Sequence, residues 1–267
     1  MDTELILICA LTGVINLIGA LAYAARIAGV RAGRIALSFA LFNVLLLVSR
    51  TSNGFLGPFL AKRIETGLAN GAGDALLLDL RLVLFSAAAA VALGIVLVPT
   101  GQRLCAAAIT FFQANRSTTK LLLRSVTPAG LSTIRDSVAL PTAESLRSLN
   151  GPRGVSWPVL IANAAAQGLL AVGVLASLYA GYLVPEFRVT ASQMTAIVNG
   201  FTTILLFALI DPQISALTDD VVDGSVSEAP FRRAMIWVSL SRLAGTLLAQ
   251  VLLVPAAVVI AWAAGWL

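Results

Sequence analysis

Residues 35–60 read IALSFALFNVLLLVSRTSNGFLGPFL, and the fold turns on how they are placed. The run from Ile35 to Ser49 is uncharged, and Arg50, Thr51, Ser52 and Asn53 then stand in a row before Gly54, Gly57 and Pro58. An arginine at the centre of a membrane helix costs about 2.5–3.5 kcal/mol on insertion scales, so it asks for a partner and a purpose. Two readings are open. In one, the span ends at Ser49, SRTSN is its polar exit, and FLGPFL lies in the interface. In the other, a broken helix reaches Leu60, its backbone loosened at Gly54, Gly57 and Pro58, with polar groups turned into a cavity. Asn43, seven residues before Arg50, shares its helix face. At ~1.5 Å per residue Arg50 lies ~22 Å from Ile35, toward the outer leaflet of a ~30 Å hydrocarbon core.

The rest of the chain supports a bilayer setting. Of its 267 residues 58% are hydrophobic and 12% charged, with mean hydropathy +0.92, against roughly 25% charged in soluble domains. Six runs are long enough to span as helices: Leu5 to Ala25, Ile35 to Leu60, Leu76 to Val98, Trp157 to Val184, Gln193 to Ile210 and Ala234 to Trp266. Each approaches the ~20 residues a span needs, and none alternates as a barrel strand would. The expected fold is therefore an all-α polytopic membrane protein. Asp2 and Glu4 precede the first run with no basic residue, which argues against a cleavable signal peptide.

Basic residues predict the orientation, because lysine and arginine accumulate on the cytoplasmic side. Of the 18, twelve fall on one side. These are Arg26, Arg31 and Arg34 after the first span, seven between Arg103 and Arg153, and Arg232 with Arg233. Lys62, Arg63, Arg81 and Arg188 fall on the other side, and Arg50 and Arg242 within spans. Both termini are thus expected outside. The chain divides into a three-span half (1–98), a basic linker (99–156) and a second three-span half (157–267), which suits an inverted repeat with a substrate site at its interface. In the linker Arg116, Lys120 and Arg124 recur every four residues, as on one face of an interfacial helix.

Few residues suit other chemistry. Histidine is absent, which removes the commonest general base and metal ligand. Cys9 and Cys105 are far apart in sequence and suggest neither a disulfide nor a metal site. No P-loop or other cofactor motif is present, so no cofactor is expected, and the basic charge is accounted for by membrane topology rather than nucleic acid. Arg242, ~8 Å along its helix from Trp237, is placed to snorkel to the inner interface. Asp211, before Pro212, closes the fifth span and either pairs with Arg242 or simply ends the helix. Asn16, Asn163, Gln167 and Asn199 read as hydrogen-bond glue between helices. Asp219, Asp220 and Asp223 spell DDVVD, a spacing that in intramembrane prenyltransferases holds Mg²⁺ against a pyrophosphate. Those enzymes use two such motifs and this chain has one, so a solvated acidic turn is the competing reading.

Two blocks carry a family resemblance: RIAGVRAGRIALSFALFNVLLLVSRTSN over Arg26 to Asn53, and IDPQISALTDDV over Ile210 to Val221. They resemble the Amj family of bacterial lipid II flippases, which substitute for the unrelated MurJ. The resemblance implies a multi-pass protein of the bacterial cytoplasmic membrane that moves the polyprenyl-pyrophosphate precursor of peptidoglycan outward, with lipid II as its ligand and cell-wall synthesis proteins as partners. It supplies no residue roles. On physical grounds Arg26, Arg31 and Arg34 would line the cytoplasmic entrance. Arg50, with Asn43, Thr51, Ser52 and Asn53, would meet the pyrophosphate in transit, and Arg242 and Asp211 would assist. Guanidinium suits that task because its fork matches phosphate oxygens bidentately.

Overall fold

The computed structural model describes residues 2–71, 73–141, 151–152 and 154–267. Arg147 and Arg153 of the basic linker lie outside the described residues. Six helices are long and apolar enough to cross a membrane, and the described residues contain no strand.

The helices are longer than hydropathy alone predicts. α1 (Thr3–Arg31) starts where Asp2 accepts a hydrogen bond from the Leu5 N–H and continues past Ala25. α2 runs unbroken from Ile35 to Asn70, with Pro58 inside it. Neither reading of the opening stretch therefore holds: the helix does not end at Ser49, nor does it break at Gly54, Gly57 or Pro58. Proline removes one N–H and crowds the carbonyl four residues back; here that residue is Gly54. In lipid a helix is the only way for a lone segment to satisfy its backbone, and one lost bond does not outweigh that.

α3 (Gly73–Val96) passes through Leu97 into α4 (Val98–Asn115). Two short helices follow, α5 (Thr118–Ser125) and α6 (Pro128–Ser137). Arg116 caps α4 at φ 48°, so the expected basic face is cut: Lys120 and Arg124 share α5, and Arg116 does not.

α7 (Trp157–Leu183) leads through a short 3-10 turn into α8 (Arg188–Leu205). A π-turn over Leu206–Ile210 joins α8 to α9 (Asp211–Val222). The fifth span thus continues through Asp211–Pro212 instead of stopping there. Pro212 sits in the first turn of α9, where a missing N–H costs little. α10 (Glu228–Ala264) closes the chain.

The tightest crossing joins α7 and α10 through small residues. A Cβ on Gly245 would meet the Gly168 N and the Gln167 Cβ at 2.9 Å, and would collide with the Ala164 carbonyl oxygen. Asn163, buried beside this crossing, donates to the Val238 carbonyl oxygen (3.2 Å) and Ser241 Oγ (2.7 Å). The Asn163 bonds are the expected glue role. Two apolar cores lie along the bundle, and each draws on helices from both halves of the chain.

Two polar clasps mark the ends. At one, Arg63 of α2 binds Asp2 (2.9 Å) and Asp79 of α3 (2.6 Å). At the other, Arg31 pairs with Glu228 and reaches Gln102 Oε1 of α4 (3.4 Å). The second is the linker end, since α4 to α6 adjoin it.

Candidate functional site

The antiparallel register of α1 and α2 sets the depth of Arg50. Ser38 Oγ donates to the Ala25 carbonyl oxygen (2.6 Å) near the linker end, and Arg63 faces Asp2 at the far end. Arg50 then lies level with residues around Val14, ~24 Å from Arg34 and ~20 Å from Arg63 along the helix. That is the middle of the bundle rather than one side of it. With α2 ending at Leu60 the same residue would stand near one end; the helix instead runs on to Asn70.

Which way Arg50 faces follows from helical spacing. Phe39, Asn43, Leu46, Arg50 and Asn53 repeat at four- and three-residue steps and form one stripe, which Ala61, Ile64 and Leu68 continue. At that end Ala61, Ile64 and Leu68 line a small cavity of about 110 Å³ with Leu178 and Gly181 of α7 and Arg188 of α8. The rest of the stripe is uncovered: Asn43, Arg50 and Asn53 are exposed, and α2 has no extensive packing against α8 or α9. α2 and the α7–α9 side of the bundle therefore form two walls that meet near Arg63, and the α2 wall is uncovered on this face toward the linker end. Arg50 stands on the open wall.

Thr51 and Ser52 do not join this stripe. The Thr51 hydroxyl donates to its own helix at the Leu47 carbonyl oxygen (2.9 Å), and Ser52 is buried on the face that packs against α1. Adjacent residues on a helix point about 100° apart, so a polar run cannot act as one patch.

The floor between the two walls belongs to α1. Asn16, Gly19, Tyr23 and Arg26 again follow four- and three-residue steps. The Arg26 guanidinium lies 4.9 Å from the centre of the Phe39 ring and donates to Thr218 Oγ1 of α9 (3.3 Å). It thus bridges the two walls, and Asp211 is the carboxylate that acts on it. Among the described residues Arg26 and Asp211 form no direct ion pair.

Arg242 enters this floor from α10. Its guanidinium lies beside Tyr23 and against Gly19 so closely that a Cβ there would stand 2.5 Å from Nη2. Nε of Arg242 is buried and has no hydrogen-bond partner among the described residues. Gly19 is ~18 Å along α1 from Arg31, so this contact too is near mid-depth. Arg242 is therefore packed inward rather than snorkelled to the interface, and its near neighbour is Tyr23 rather than Asp211.

The remaining candidates have other roles. Arg31 is held by Glu228 and Gln102 and is a structural clasp. Arg34 is exposed at the start of α2. Asp219, Asp220 and Asp223 are exposed around the end of α9, where the Asp220 carbonyl oxygen accepts from Ser225 Oγ (2.8 Å) and the Val226 N–H (3.0 Å). Among the described residues no group of three carboxylates or cysteines could hold a metal ion. A second acidic helix facing α9 would be needed, and Glu228, the nearby acid, is occupied by Arg31.

Arg26 and Arg242 thus flank Tyr23 of α1, and Arg50 shares the α2 stripe with Phe39, the ring that Arg26 covers; among the described residues, only Arg26 of these three guanidinium groups acts close to a carboxylate. Such a lining is adapted to an anion that enters from the side while an attached hydrocarbon chain stays in lipid. The family model described as "Amj: Alternate to MurJ" matches residues 11–264. The chain belongs to the Amj family. The protein is also 32% identical over 270 residues to the lipid II flippase Amj of Bacillus subtilis (strain 168), an alignment covering 100% of this chain and 98% of that one. No solved structure matches it. As an Amj member it places its two family-like blocks on facing elements: α1–α2 carries Arg26 to Asn53, and α9 carries Asp211 and Thr218, the latter bonded to Arg26.

Tyr23, Gly19 and Phe39 escaped the sequence reading. Their signal was present, since Gly19 and Tyr23 precede Arg26 at seven and three residues and Phe39 precedes Arg50 at eleven, all positions on a shared helix face.

Proposed function

We propose that this protein moves lipid II, the polyprenyl-pyrophosphate-linked peptidoglycan precursor, from the inner to the outer leaflet of the bacterial cytoplasmic membrane. The observation that carries this reading is the uncovered stripe of α2, which presents Arg50 and two amides on an exposed flank at the middle of the helix bundle. A soluble-ligand carrier would enclose its site; a lipid carrier needs one side open for the tail.

The positive-inside excess puts the linker end in the cytoplasm and both termini outside. In that orientation the headgroup meets Arg34 and Arg26 first. Next come Arg242 and then Arg50, ~24 Å from the entrance. Arg26 leaves Thr218 and the Phe39 ring to bind phosphate oxygens, and Asp211 keeps the site from holding the anion too tightly. The contact of Ala61, Ile64 and Leu68 with α7 and α8 closes the outer end. Release requires α2 to part from them, which fits alternating access between two halves. The membrane potential, negative inside, favours outward movement of an anion by about 2.3 kcal/mol per charge per 100 mV. Enzymes that consume the precursor on the outer face are the partner class this implies.

The test is made in cells depleted of every other lipid II exporter. Supplying this protein restores precursor on the outer face, read by an impermeant probe of the headgroup. A membrane-inserted protein that leaves the precursor inside would refute the proposal.

A further inference from the structure

The flank of α2 opposite the polar stripe holds a second feature. Ser38, Leu41 and Leu45 form one wall of a cavity of about 350 Å³, closed by α4, α5 and α6. Its volume lies in the range of small-molecule sites, roughly 300–1,000 Å³. The lining is apolar and includes Cys105, Ala108 and Ile134, and Arg124 is its one charged residue. That guanidinium is stationed 4.7 Å from the centre of the Phe111 ring, at the edge of the cavity. Lys120, one turn away on α5, is not among the lining residues.

The depth fits a lipid chain. Ser38 to Leu45 occupy the first turns of α2, inside the leaflet at the linker end. The amphipathic helices over them expose Leu122, Leu123 and Leu131, as interfacial helices do.

We infer that this cavity is a binding site for a resident anionic phospholipid, with one acyl chain between α2 and α4–α6 and its phosphate at Arg124. The occupant is a bilayer phospholipid rather than the transported lipid, because α2 stands between the cavity and the Arg50 stripe. A headgroup at mid-depth on one flank cannot keep its chain on the other. The site would brace α2 against the linker helices, leaving its far end free to swing. The inference is independent of the identity of the transported lipid.

The test uses the full chain purified in detergent with phosphatidylglycerol or phosphatidylcholine, and counts retained lipid by native mass spectrometry. Phosphatidylglycerol is retained about five-fold more strongly, the preference expected for one added cation. Arg124→Gln removes that preference, Arg124→Lys keeps it, and Ala108→Trp, which fills the cavity, displaces the lipid. A second readout needs no variant: phosphatidylglycerol slows alkylation of Cys105 by an apolar maleimide, measured by peptide mass, and leaves Cys9 unaffected. Equal retention of both lipids, unprotected Cys105, or displacement of phosphatidylglycerol by a polyprenyl phosphate would each overturn the assignment.

Discussion

Gly19 offers the sharpest probe of the polar floor, because the three atoms nearest to a Cβ placed there all belong to one guanidinium group. A methyl at Gly19 would stand 2.5 Å from Arg242 Nη2, 3.0 Å from Cζ and 3.1 Å from Nη1. Ordinary contact needs about 3.5 Å, so Gly19→Ala drives the guanidinium back by about 1 Å. Displacements of that size cost up to about 100-fold where geometry matters. A hydrogen bond to a charged group is worth about 1.5–3 kcal/mol, or roughly 10- to 150-fold, which sets the loss for Arg242→Ala. Gly19→Ala should therefore lower transport of a fluorescent lipid II analogue in proteoliposomes by about 10-fold, at unchanged protein content. The decisive comparison is the double variant. If the methyl acts through Arg242, adding Gly19→Ala to Arg242→Ala costs nothing further. Additive losses, or a fully active Gly19→Ala protein, would show that Arg242 does not work from this position.

Three further outcomes follow from the same geometry. Gly245→Val pushes α7 and α10 apart at backbone atoms that cannot yield, costing about 1–3 kcal/mol or more; Asn163→Ala, which loses two interhelical hydrogen bonds of ~0.6 kcal/mol each, costs about 1. Thermal unfolding in detergent should rank them in that order. The Leu5 N–H, and after it Arg63, hold the Asp2 carboxyl below its ordinary range. Its contribution is thus fully present above about pH 4 and is lost as pH falls through the lowered value, and Asp2→Asn should remove that acid-side component of the melting profile. Burial pushes the Cys105 thiol up to about 11, so in a Cys9→Ser background alkylation should be slow at pH 7 and rise about ten-fold per pH unit until near that value.

The spans were legible because length and hydropathy alone decide whether a helix can cross lipid. The shared face of Asn43 and Arg50 was equally legible, since a seven-residue interval is two turns in any helix. What failed was punctuation. Gly54, Gly57 and Pro58 would interrupt a helix in water, but in lipid the backbone has no other partner, and α2 continues to Asn70. That single misplaced end shifts the expected place of Arg50 from the middle of the bundle toward one end. Pro212 misled in the same way, because the π-turn ahead of it carries the helix through. Long-range partners were beyond periodicity altogether. Nothing local tells Arg242 that Gly19 and Tyr23 await it more than two hundred positions away. Asp79 could have been flagged, as a lone carboxylate near a span end that needs a cation; Arg63 supplies it.

The central claim is that Arg50 meets the pyrophosphate at mid-bilayer on a flank open to lipid. It is tested most directly by transport of the lipid II analogue by Arg50→Gln and Arg50→Lys in proteoliposomes of matched protein content. The account predicts at least a 10-fold loss for the glutamine variant, the value of one charged hydrogen bond, and partial retention by lysine. Transport by Arg50→Gln equal to that of the unmodified protein would contradict it.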